Sequence, residues 1–461
     1  MATRDYQLPL TTLVIFFLAR VGRGGMPIFA RRRLQSMLGE LPSDITPTKV
    51  KDIVSRLERK TDPGQIIGAE MELALLWGIN KIAHISVEPP LDIGRSRPDA
   101  YSLDLFNRPA LIEITAISDD ALSGESVMRR ISQRICECAN GIKKGVGRYL
   151  YFEFHEVSFW KGNRYHRIRR ARTTFIVDDT LRRQLHGWIT STPLAGACRI
   201  TNEHVDVTIT IRAEKQHPLY NFFSSMPAIP YTLNDNPLHD ALKYKEKQIK
   251  HRRDGVLGCI FVADAGCRPL RLLTERDPVG LWKSGREIIE YFLANSSVDI
   301  VVAFSPHADG IGYFRTLEWR VTGFAADGVD ADGTLDRMNE LTKTIPRPRF
   351  EGYQARALCQ QGAFSPQHRG WYLGWQIETG NSRVTMKISA RLLHEFMAGR
   401  MDREQFARFA FGNNKNLCDL WLSQGLCIVD AAFEKAGVDE DDDYVVLTFA
   451  PDPAADKLKS G

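Results

Sequence analysis

Several motifs that mark common enzyme classes are missing from this sequence. It has neither a Gly-x-x-x-x-Gly-Lys-Ser/Thr loop nor a Gly-x-Gly-x-x-Gly turn, which argues against P-loop hydrolases and dinucleotide-binding enzymes. Gly-x-Ser-x-Gly and His-Glu-x-x-His are also absent, which argues against serine esterases and zinc peptidases of those types. No internal repeat is present, so a solenoid or propeller is not expected.

Cysteine is sparse and carries no metal-binding spacing. The 8 cysteines include no Cys-x-x-Cys pair, and several lie in apolar runs such as LGCIFV and GLCIVD. This pattern is typical of reduced, buried thiols in an intracellular protein rather than of a disulfide framework or a zinc site. We therefore expect a cytoplasmic protein.

Long apolar runs are lacking as well. The run Leu8–Leu18 is shorter than the roughly 20 residues that a membrane-spanning helix needs, and Arg20 and Arg23 follow it. A signal peptide would instead place its basic residues before the run and a cleavage site after it. We predict a buried first element and no membrane role.

Composition and length indicate a soluble protein with several domains. The chain has 461 residues, 43% hydrophobic and 25% charged, with a net charge of only +5, so a polyanionic partner is allowed but not required. We predict a helical region over residues 1–62, an α/β domain over 63–305 with a basic insertion at about 155–235, and an α+β domain of unknown role over 306–461.

The regular part of the chain begins near residue 63. A helix is predicted first, then three strands, a second helix and a fourth strand; these are Ile66–Gly78, Lys81–Val87, Arg97–Leu105, Ala110–Ile117, Glu125–Ile142 and Arg148–Phe154. The predicted fold class is therefore α/β (or α+β), a mixed sheet flanked by helices in the order α-β-β-β-α-β. Further strands at 256–264 and 298–304 are predicted to continue this sheet.

Two carboxylates on neighbouring predicted strands are candidates for a metal site. Asp99 follows Pro98 at the entry to one strand, and Glu113 lies in the apolar run ALIEITAI. Burying a lone carboxylate there costs several kcal/mol, so Glu113 requires a partner. A hard divalent cation shared with Asp99, Mg²⁺ or Mn²⁺, is one such partner. The alternative is structural: Asp99 caps a turn or pairs with Arg97, and Glu113 pairs with an arginine of the Arg129, Arg130 and Arg134 group.

The helix before these strands carries two further glutamates. Glu70 and Glu72 lie about 200° apart on a helical wheel, so at most one of them faces a site shared with Asp99. We assign Glu70 to the site and keep Glu72 as the alternative.

These residues resemble the motifs of the PD-(D/E)XK nuclease superfamily, which includes restriction enzymes and DNA-repair nucleases. The likeness covers Gln65–Phe154 and matches Glu70 or Glu72, Pro98-Asp99 and Glu113-Ile114-Thr115 to the family's motifs. It implies a restriction-endonuclease-like fold and Mg²⁺-dependent phosphodiester hydrolysis. The implied catalytic residues are Asp99, Glu113, Thr115, Glu70 and Gln133, and the implied metal ligands are Asp99, Glu113, Glu70 and the carbonyl of Ile114.

Thr115 departs from this family, which usually has lysine at that position. The lysine orients the attacking water and offsets charge at the scissile phosphate, and threonine supplies no positive charge. In related nucleases the lysine sometimes lies on a neighbouring element. The candidates here are Lys143, Lys144, Lys243 and Lys245.

Two basic stretches favour a nucleic-acid partner. The segment RYHRIRRAR interleaves aromatic residues with arginines, which suits phosphate contact and base stacking. The predicted helix Leu238–His251 is rich in lysine. The candidate nucleic-acid contacts are Arg164, Arg167, Arg169, Arg170, Arg172, Lys243, Lys245 and Lys247.

Two clusters of charge lie near the ends of the chain. Arg31–Arg33 is a candidate phosphate contact or a solvated helix face, and the acidic run Asp439–Asp443 is predicted to be a solvated turn that could restrain a basic surface.

The function expected from this sequence is a metal-dependent nuclease that hydrolyses DNA, in restriction or anti-phage defence, with RNA not excluded as substrate. One alternative is a catalytically inactive nuclease-fold subunit that binds nucleic acid within a larger complex, with a partner protein or as a homodimer. A third possibility is an unrelated α/β scaffold in which the carboxylates are structural.

Overall fold

The computed structural model describes most of the chain. The described residues are 27–42, 45–58, 63–89, 97–162, 164–191, 196–212, 221–225, 228–275, 280–309, 316–360, 375–379, 383–411 and 417–452. The predicted buried element at Leu8–Leu18 lies outside them.

Short runs of helices are interleaved with short runs of strands along the described chain. The helices are α1 (Arg31–Gly39), α2 (Pro47–Leu57), α3 (Pro63–Ile82), α4 (Asp120–Ser123), α5 (Glu125–Ile142), α6 (Asp179–Thr190), α7 (Pro237–Ile249), α8 (Arg268–Arg271), α9 (Gly285–Ala294), α10 (Ala331–Thr344), α11 (Gly352–Gln360), α12 (Ala390–Met397), α13 (Arg403–Phe411) and α14 (Leu417–Ser423). The strands are β1 (Ile85–Val87), β2 (Ala100–Ser102), β3 (Ala110–Ile117), β4 (Leu150–Phe154), β5 (Glu156–Lys161), β6 (Arg164–Arg169), β7 (Cys198–Thr201), β8 (Asp206–Ile211), β9 (Phe222–Ser224), β10 (Leu257–Asp264), β11 (Ile300–Asp309), β12 (Thr316–Ala325), β13 (Trp375–Thr379), β14 (Val384–Ser389), β15 (Leu426–Glu434) and β16 (Tyr444–Pro451).

A six-stranded mixed sheet forms the centre of the protein. Its strand order is β1-β2-β3-β10-β11-β12, with β10 parallel to both β3 and β11 and the other neighbours antiparallel. Every residue of β10 is buried, as expected for a central parallel strand covered on both faces. The predicted class, a mixed sheet flanked by helices, is confirmed.

Helices cover both faces of this sheet. α1, α2, α3, α10 and α11 share one apolar core with Ile112 and Ile114 of β3. Helices α7, α8 and α9 share the other core with Leu111 and Ile117. Because strand residues alternate between faces, Glu113 of β3 points to the side that α7 covers.

The inserted unit begins earlier than the sequence suggested. A helix and a strand do form at 125–142 and 150–154, but β4 pairs with β8 and β9 in a separate sheet of order β7-β8-β4-β9. The helix and strand that follow β3 in the central unit are α7 and β10. The burial of β4 alternates, which fits a half-exposed sheet, whereas β10 is buried along its whole length. The boundary near residue 155 is therefore wrong, and the insertion spans residues 118–235.

The predicted boundaries at residues 62 and 306 also fail. Ile28, Phe29 and Leu34 of the N-terminal region lie in the same core as α3, and so do Met338 and Leu341 of α10. The separate C-terminal unit comprises the sheet β13-β14-β16-β15 and helices α12 to α14, which enclose their own apolar core.

Arginines of α1 pair with the acidic run between β15 and β16. Arg32 Nη1 lies 2.8 Å from Asp443 Oδ1, and Arg33 Nη2 lies 2.8 Å from Asp439 Oδ2. The run forms a turn, as predicted, but its carboxylates bind arginines at the other end of the chain rather than water alone.

Among the residues that the structure describes, no helix is both long and apolar enough to cross a bilayer. The cysteines are present as free thiols.

A glycine pair tests the packing of α10 on α3. A Cβ added at Gly78 would lie 2.8 Å from Ile345 Cγ1 and 2.9 Å from Leu341 Cδ1, whereas Gly141 on α5 has no neighbour within 4 Å of such an atom. We expect Gly78→Ala to lower the free energy of unfolding by about 1–2 kcal/mol through overpacking. The control Gly141→Ala should raise it by about 0.5–1 kcal/mol. Urea denaturation measures both, and equal effects would contradict this packing.

Candidate functional site

Asp99 and Glu113 converge because β2 and β3 are antiparallel neighbours. Asp99 immediately precedes β2, and its Oδ2 accepts a hydrogen bond of 2.8 Å from the backbone N–H of Ile114. Because the N–H and C=O of one strand residue point to the same side, the Ile114 carbonyl also faces this edge. The predicted juxtaposition of the two carboxylates is present.

Lys245 of α7 joins the two carboxylates. Its Nζ lies 2.9 Å from Asp99 Oδ2 and 2.6 Å from Glu113 Oε2. Among the four lysine candidates, Lys245 is therefore the one that the structure brings to the pair. Lys243 instead pairs with Glu246 at 2.9 Å and donates to the carbonyl of Asn295.

Helical periodicity explains why Lys245 reaches the site. The N-cap Asn236 accepts a hydrogen bond from the His239 N–H, and Pro237 occupies the first turn. The buried apolar residues Leu242 and Ile249 lie three residues before and four residues after Lys245, so all three share one face. A lysine on the apolar stripe of a helix is a signal that could have selected Lys245 from the sequence.

The three charged groups alter one another's pKa. Burial and the neighbouring Asp99 carboxylate raise the pKa of Glu113 to about 9. Burial also opposes ionisation of Asp99, but Lys245 and Lys49 outweigh it and hold the pKa of Asp99 well below its usual range. Although burial disfavours the Lys245 ammonium, Asp99 and Glu113 raise the pKa of Lys245.

A second lysine contacts Asp99 from the other side. Lys49 Nζ of α2 lies 3.1 Å from Asp99 Oδ1, 2.8 Å from Glu72 Oε1 and 3.1 Å from Glu88 Oε1. Sequence reasoning missed Lys49 and Glu88. Lys49 is next to Val50 and four residues before Ile53, so it lies on the buried side of α2. A lysine on the apolar face of a helix is also the pattern that marks Lys245.

Glu70 does not reach this site, and its assignment to catalysis and metal binding is corrected. Its Oε2 accepts hydrogen bonds of 2.9 Å from the backbone N–H groups of Ile28 and Phe29, where burial raises its pKa. The glutamate of α3 that enters the cluster is Glu72, which also pairs with Arg56 at 2.8 Å. The two glutamates diverge because they are two residues apart on one helix.

The remaining predicted catalytic residues differ in position. Thr115 is half-buried two residues after Glu113, on the same face of β3. Gln133 lies on α5 of the inserted unit and donates to Glu137 Oε1 at 2.9 Å on the surface, so the structure does not bring it to Asp99. Lys143 and Lys144 follow the end of α5 in the same unit.

Some of the residues predicted to bind nucleic acid contact other side chains of the protein, and others are exposed. Arg167 pairs with Glu156, and Arg169 donates to Ser224 Oγ at 2.8 Å. Arg170, Arg172 and Lys247 are exposed. The side chain of Arg164 lies outside the described residues.

The donors of the pair suit a single hard cation. Across the described residues, no cluster of three or more His, Cys, Asp or Glu side chains is arranged to hold a metal ion. Mg²⁺, however, commonly uses one or two carboxylates together with water and substrate phosphate. Glu113 is fully buried, and its Oε1 has no hydrogen-bond partner among the described atoms. This orphaned oxygen is the type of ligand that such an ion takes, whereas both oxygens of Asp99 contact lysines.

The comparisons with known proteins give no functional assignment. The chain matches no described protein family and no solved structure. A segment of 125 residues is 28% identical to an uncharacterized protein of Corynebacterium glutamicum. The match covers 26% of this chain and only 14% of that protein.

A mutant cycle tests the coupling of Lys245 to Glu113. Lys245→Met should lower the free energy of unfolding by about 3–5 kcal/mol, because it removes the ammonium that compensates two buried carboxylates. Adding Glu113→Gln should recover part of this loss, with a coupling energy of about 0.5–3 kcal/mol. Lys243→Met, which breaks a more exposed pair, should cost no more than about 1 kcal/mol. Denaturant unfolding of the wild type, of both single variants Lys245→Met and Glu113→Gln, of their double variant and of Lys243→Met measures these energies, and strict additivity would contradict a direct interaction.

Proposed function

We propose that this protein is a metal-dependent nuclease with a restriction-endonuclease-like core that hydrolyses phosphodiester bonds in DNA. The observation that carries the proposal is the position of Lys245, within 2.9 Å of Asp99 and 2.6 Å of Glu113. The PD-(D/E)XK motif has a lysine beside its two carboxylates. Thr115 stands at the position of that lysine and carries no charge, and Lys245 provides an ammonium beside the same two carboxylates.

The order of elements around the site supports this proposal. α3, β1, β2 and β3 are followed, after the insertion, by α7 and β10. The PD-(D/E)XK superfamily has the same α-β-β-β-α-β order, and in this proposal Lys245, on the helix that packs across β3, takes the role of that family's lysine. A role in restriction or anti-phage defence, in the cytoplasm and with a partner protein or second copy, is proposed from that resemblance alone.

The chain's own residues have distinct chemical roles in this proposal. Asp99, Glu113 and the Ile114 carbonyl would hold a divalent cation, which supplies Lewis-acid polarisation of a phosphoryl oxygen when bound. Lys245 donates hydrogen bonds toward the scissile group and offsets the negative charge that develops there. Thr115 offers a neutral hydroxyl on the same strand face. The low exposure of Lys245 and Asp99 strengthens these charge interactions by excluding water.

Cleavage assays test the proposal directly. We expect purified protein to cut plasmid DNA with Mg²⁺ or Mn²⁺ and not with EDTA. Asp99→Asn, Glu113→Gln and Lys245→Met should each lower the rate by about 100-fold or more, because each removes charge stabilisation at the phosphate. Lys243→Met is the matched control on the same helix, and Glu70→Gln is the control on α3; both should retain cleavage.

Two outcomes would contradict nuclease activity. If the protein binds DNA in a salt-sensitive way but does not cleave it with either Mg²⁺ or Mn²⁺, the inactive nucleic-acid-binding subunit is favoured. Absence of both binding and cleavage would favour a structural role for the carboxylates. Cleavage of RNA but not DNA would retain the chemistry and change the substrate.

The exposed arginines after β6 generate a separate prediction about DNA binding. Arg170 and Arg172 are exposed beside the bridge between Ala171 and Val205, so they can reach phosphates. Arg170→Ala/Arg172→Ala should weaken binding and reduce the slope of log K against log salt by about 1–2. Arg182→Ala/Arg183→Ala removes the same charge from exposed positions of α6 in the same unit. Fluorescence anisotropy over a salt series measures the slope of log K against log salt for both double variants. Equal slopes would refute a specific phosphate contact by Arg170 and Arg172.

A further inference from the structure

The ammonium of Lys49 is enclosed by three carboxylates. Its Nζ lies 2.8 Å from Glu72 Oε1, 3.1 Å from Glu88 Oε1 and 3.1 Å from Asp99 Oδ1, and the residue is only 6% exposed. Three carboxylate oxygens around one point are the ligands that a hard divalent cation uses. In this protein that point is occupied by a side chain of the protein itself.

The three carboxylates reach Lys49 from separate elements. Glu72 lies on α3, Glu88 follows β1, and Asp99 precedes β2. Glu88 has a φ of 48°, in the left-handed region that non-glycine residues rarely adopt, and its N–H bonds the Asp99 carbonyl at 3.1 Å. Such a conformation persists only where its surroundings determine it. With its backbone fixed in this way, Glu88 places its carboxylate 3.1 Å from the Lys49 ammonium.

Asp99 divides its two oxygens between two cations. Oδ2 faces Lys245 and the Ile114 N–H, on the side of Glu113, whereas Oδ1 faces Lys49, on the side of Glu72. A nuclease that uses two ions places them about 3.5–4 Å apart, around the attacking and leaving oxygens. Asp99 contacts one cation with each of its two oxygens, as a carboxylate shared by two ions does.

We infer that Lys49 is a built-in cation that takes the position of a second divalent ion, between the carboxylates of Glu72, Glu88 and Asp99. This inference deepens the proposed nuclease function and rests on it for its catalytic meaning. Glu72 and Glu88 are then positioning residues for Lys49 rather than metal ligands. One Lys49 ammonium does not balance three carboxylates. Arg56, which lies 2.8 Å from Glu72 Oε2, supplies a further positive charge.

Counting bound Mn²⁺ tests the inference without measuring activity. Electron paramagnetic resonance of free Mn²⁺ gives the stoichiometry for the wild type, Lys49→Met and Lys49→Met/Glu72→Gln/Glu88→Gln, with folding checked by circular dichroism. We expect Lys49→Met to bind one more Mn²⁺ per chain than the wild type, because it removes the ammonium that Glu72, Glu88 and Asp99 share. The triple variant should return to the wild-type stoichiometry. Mn²⁺ should also raise the Tm of Lys49→Met more than that of the wild type.

The outcomes separate this inference from the proposed function. Equal stoichiometry in folded wild type and Lys49→Met would overturn the role of Lys49. If the wild type bound no Mn²⁺ and Lys49→Met bound one, Lys49 would be confirmed as a cation substitute and the Asp99–Glu113 metal site would fail. If Lys49→Met does not fold, Glu88→Gln decides: an unchanged wild-type stoichiometry supports the inference, and loss of one Mn²⁺ overturns it because Glu88 would then be a metal ligand.

Discussion

The burial of Glu113 in a central strand constrains the rest of this structure. A fully buried carboxylate is unstable unless a cation or hydrogen-bond donors compensate it, and burial beside Asp99 raises the pKa of Glu113 to about 9. Lys245 opposes this rise in pKa through its contact with Glu113, which requires α7 to lie across β3. Residues 118–235 form a separate unit between β3 and α7. After this unit, α7 packs across β3 and β10 pairs with it.

Opposed cations give Asp99 a fixed orientation. Lys245 of α7 and Lys49 of α2 contact different oxygens of its carboxylate, and the Ile114 N–H binds one of them. Because α2 belongs to the same core as α3, the N-terminal helices are part of the site's support rather than a separate region. A carboxylate held from both sides is preorganised for a ligand, since little reorganisation is needed when the ligand arrives.

Local patterns predicted the carboxylate pair but not its partners. Asp99 and Glu113 lie on adjacent strands joined by a short turn, so alternation and strand order bring them together. Lys245 lies 132 residues beyond Glu113, and spacing cannot show which of several lysines returns to the sheet. The choice of Glu70 over Glu72 failed because both have apolar neighbours in the sequence. Only the folded contacts separate them: Glu70 binds the backbone of residues 28 and 29, and Glu72 binds Lys49 and Arg56. The placement of β4 failed because strand propensity does not specify a pairing partner.

The position of a bound cation tests the central claim most directly. Crystals grown with Mn²⁺ and measured for anomalous scattering should show one peak within ligand distance of both Asp99 and Glu113, with Lys49 Nζ still enclosed by its three carboxylates. Absence of a peak at this pair at saturating Mn²⁺, with a peak elsewhere on the chain, would contradict a metal-dependent site built on Glu113.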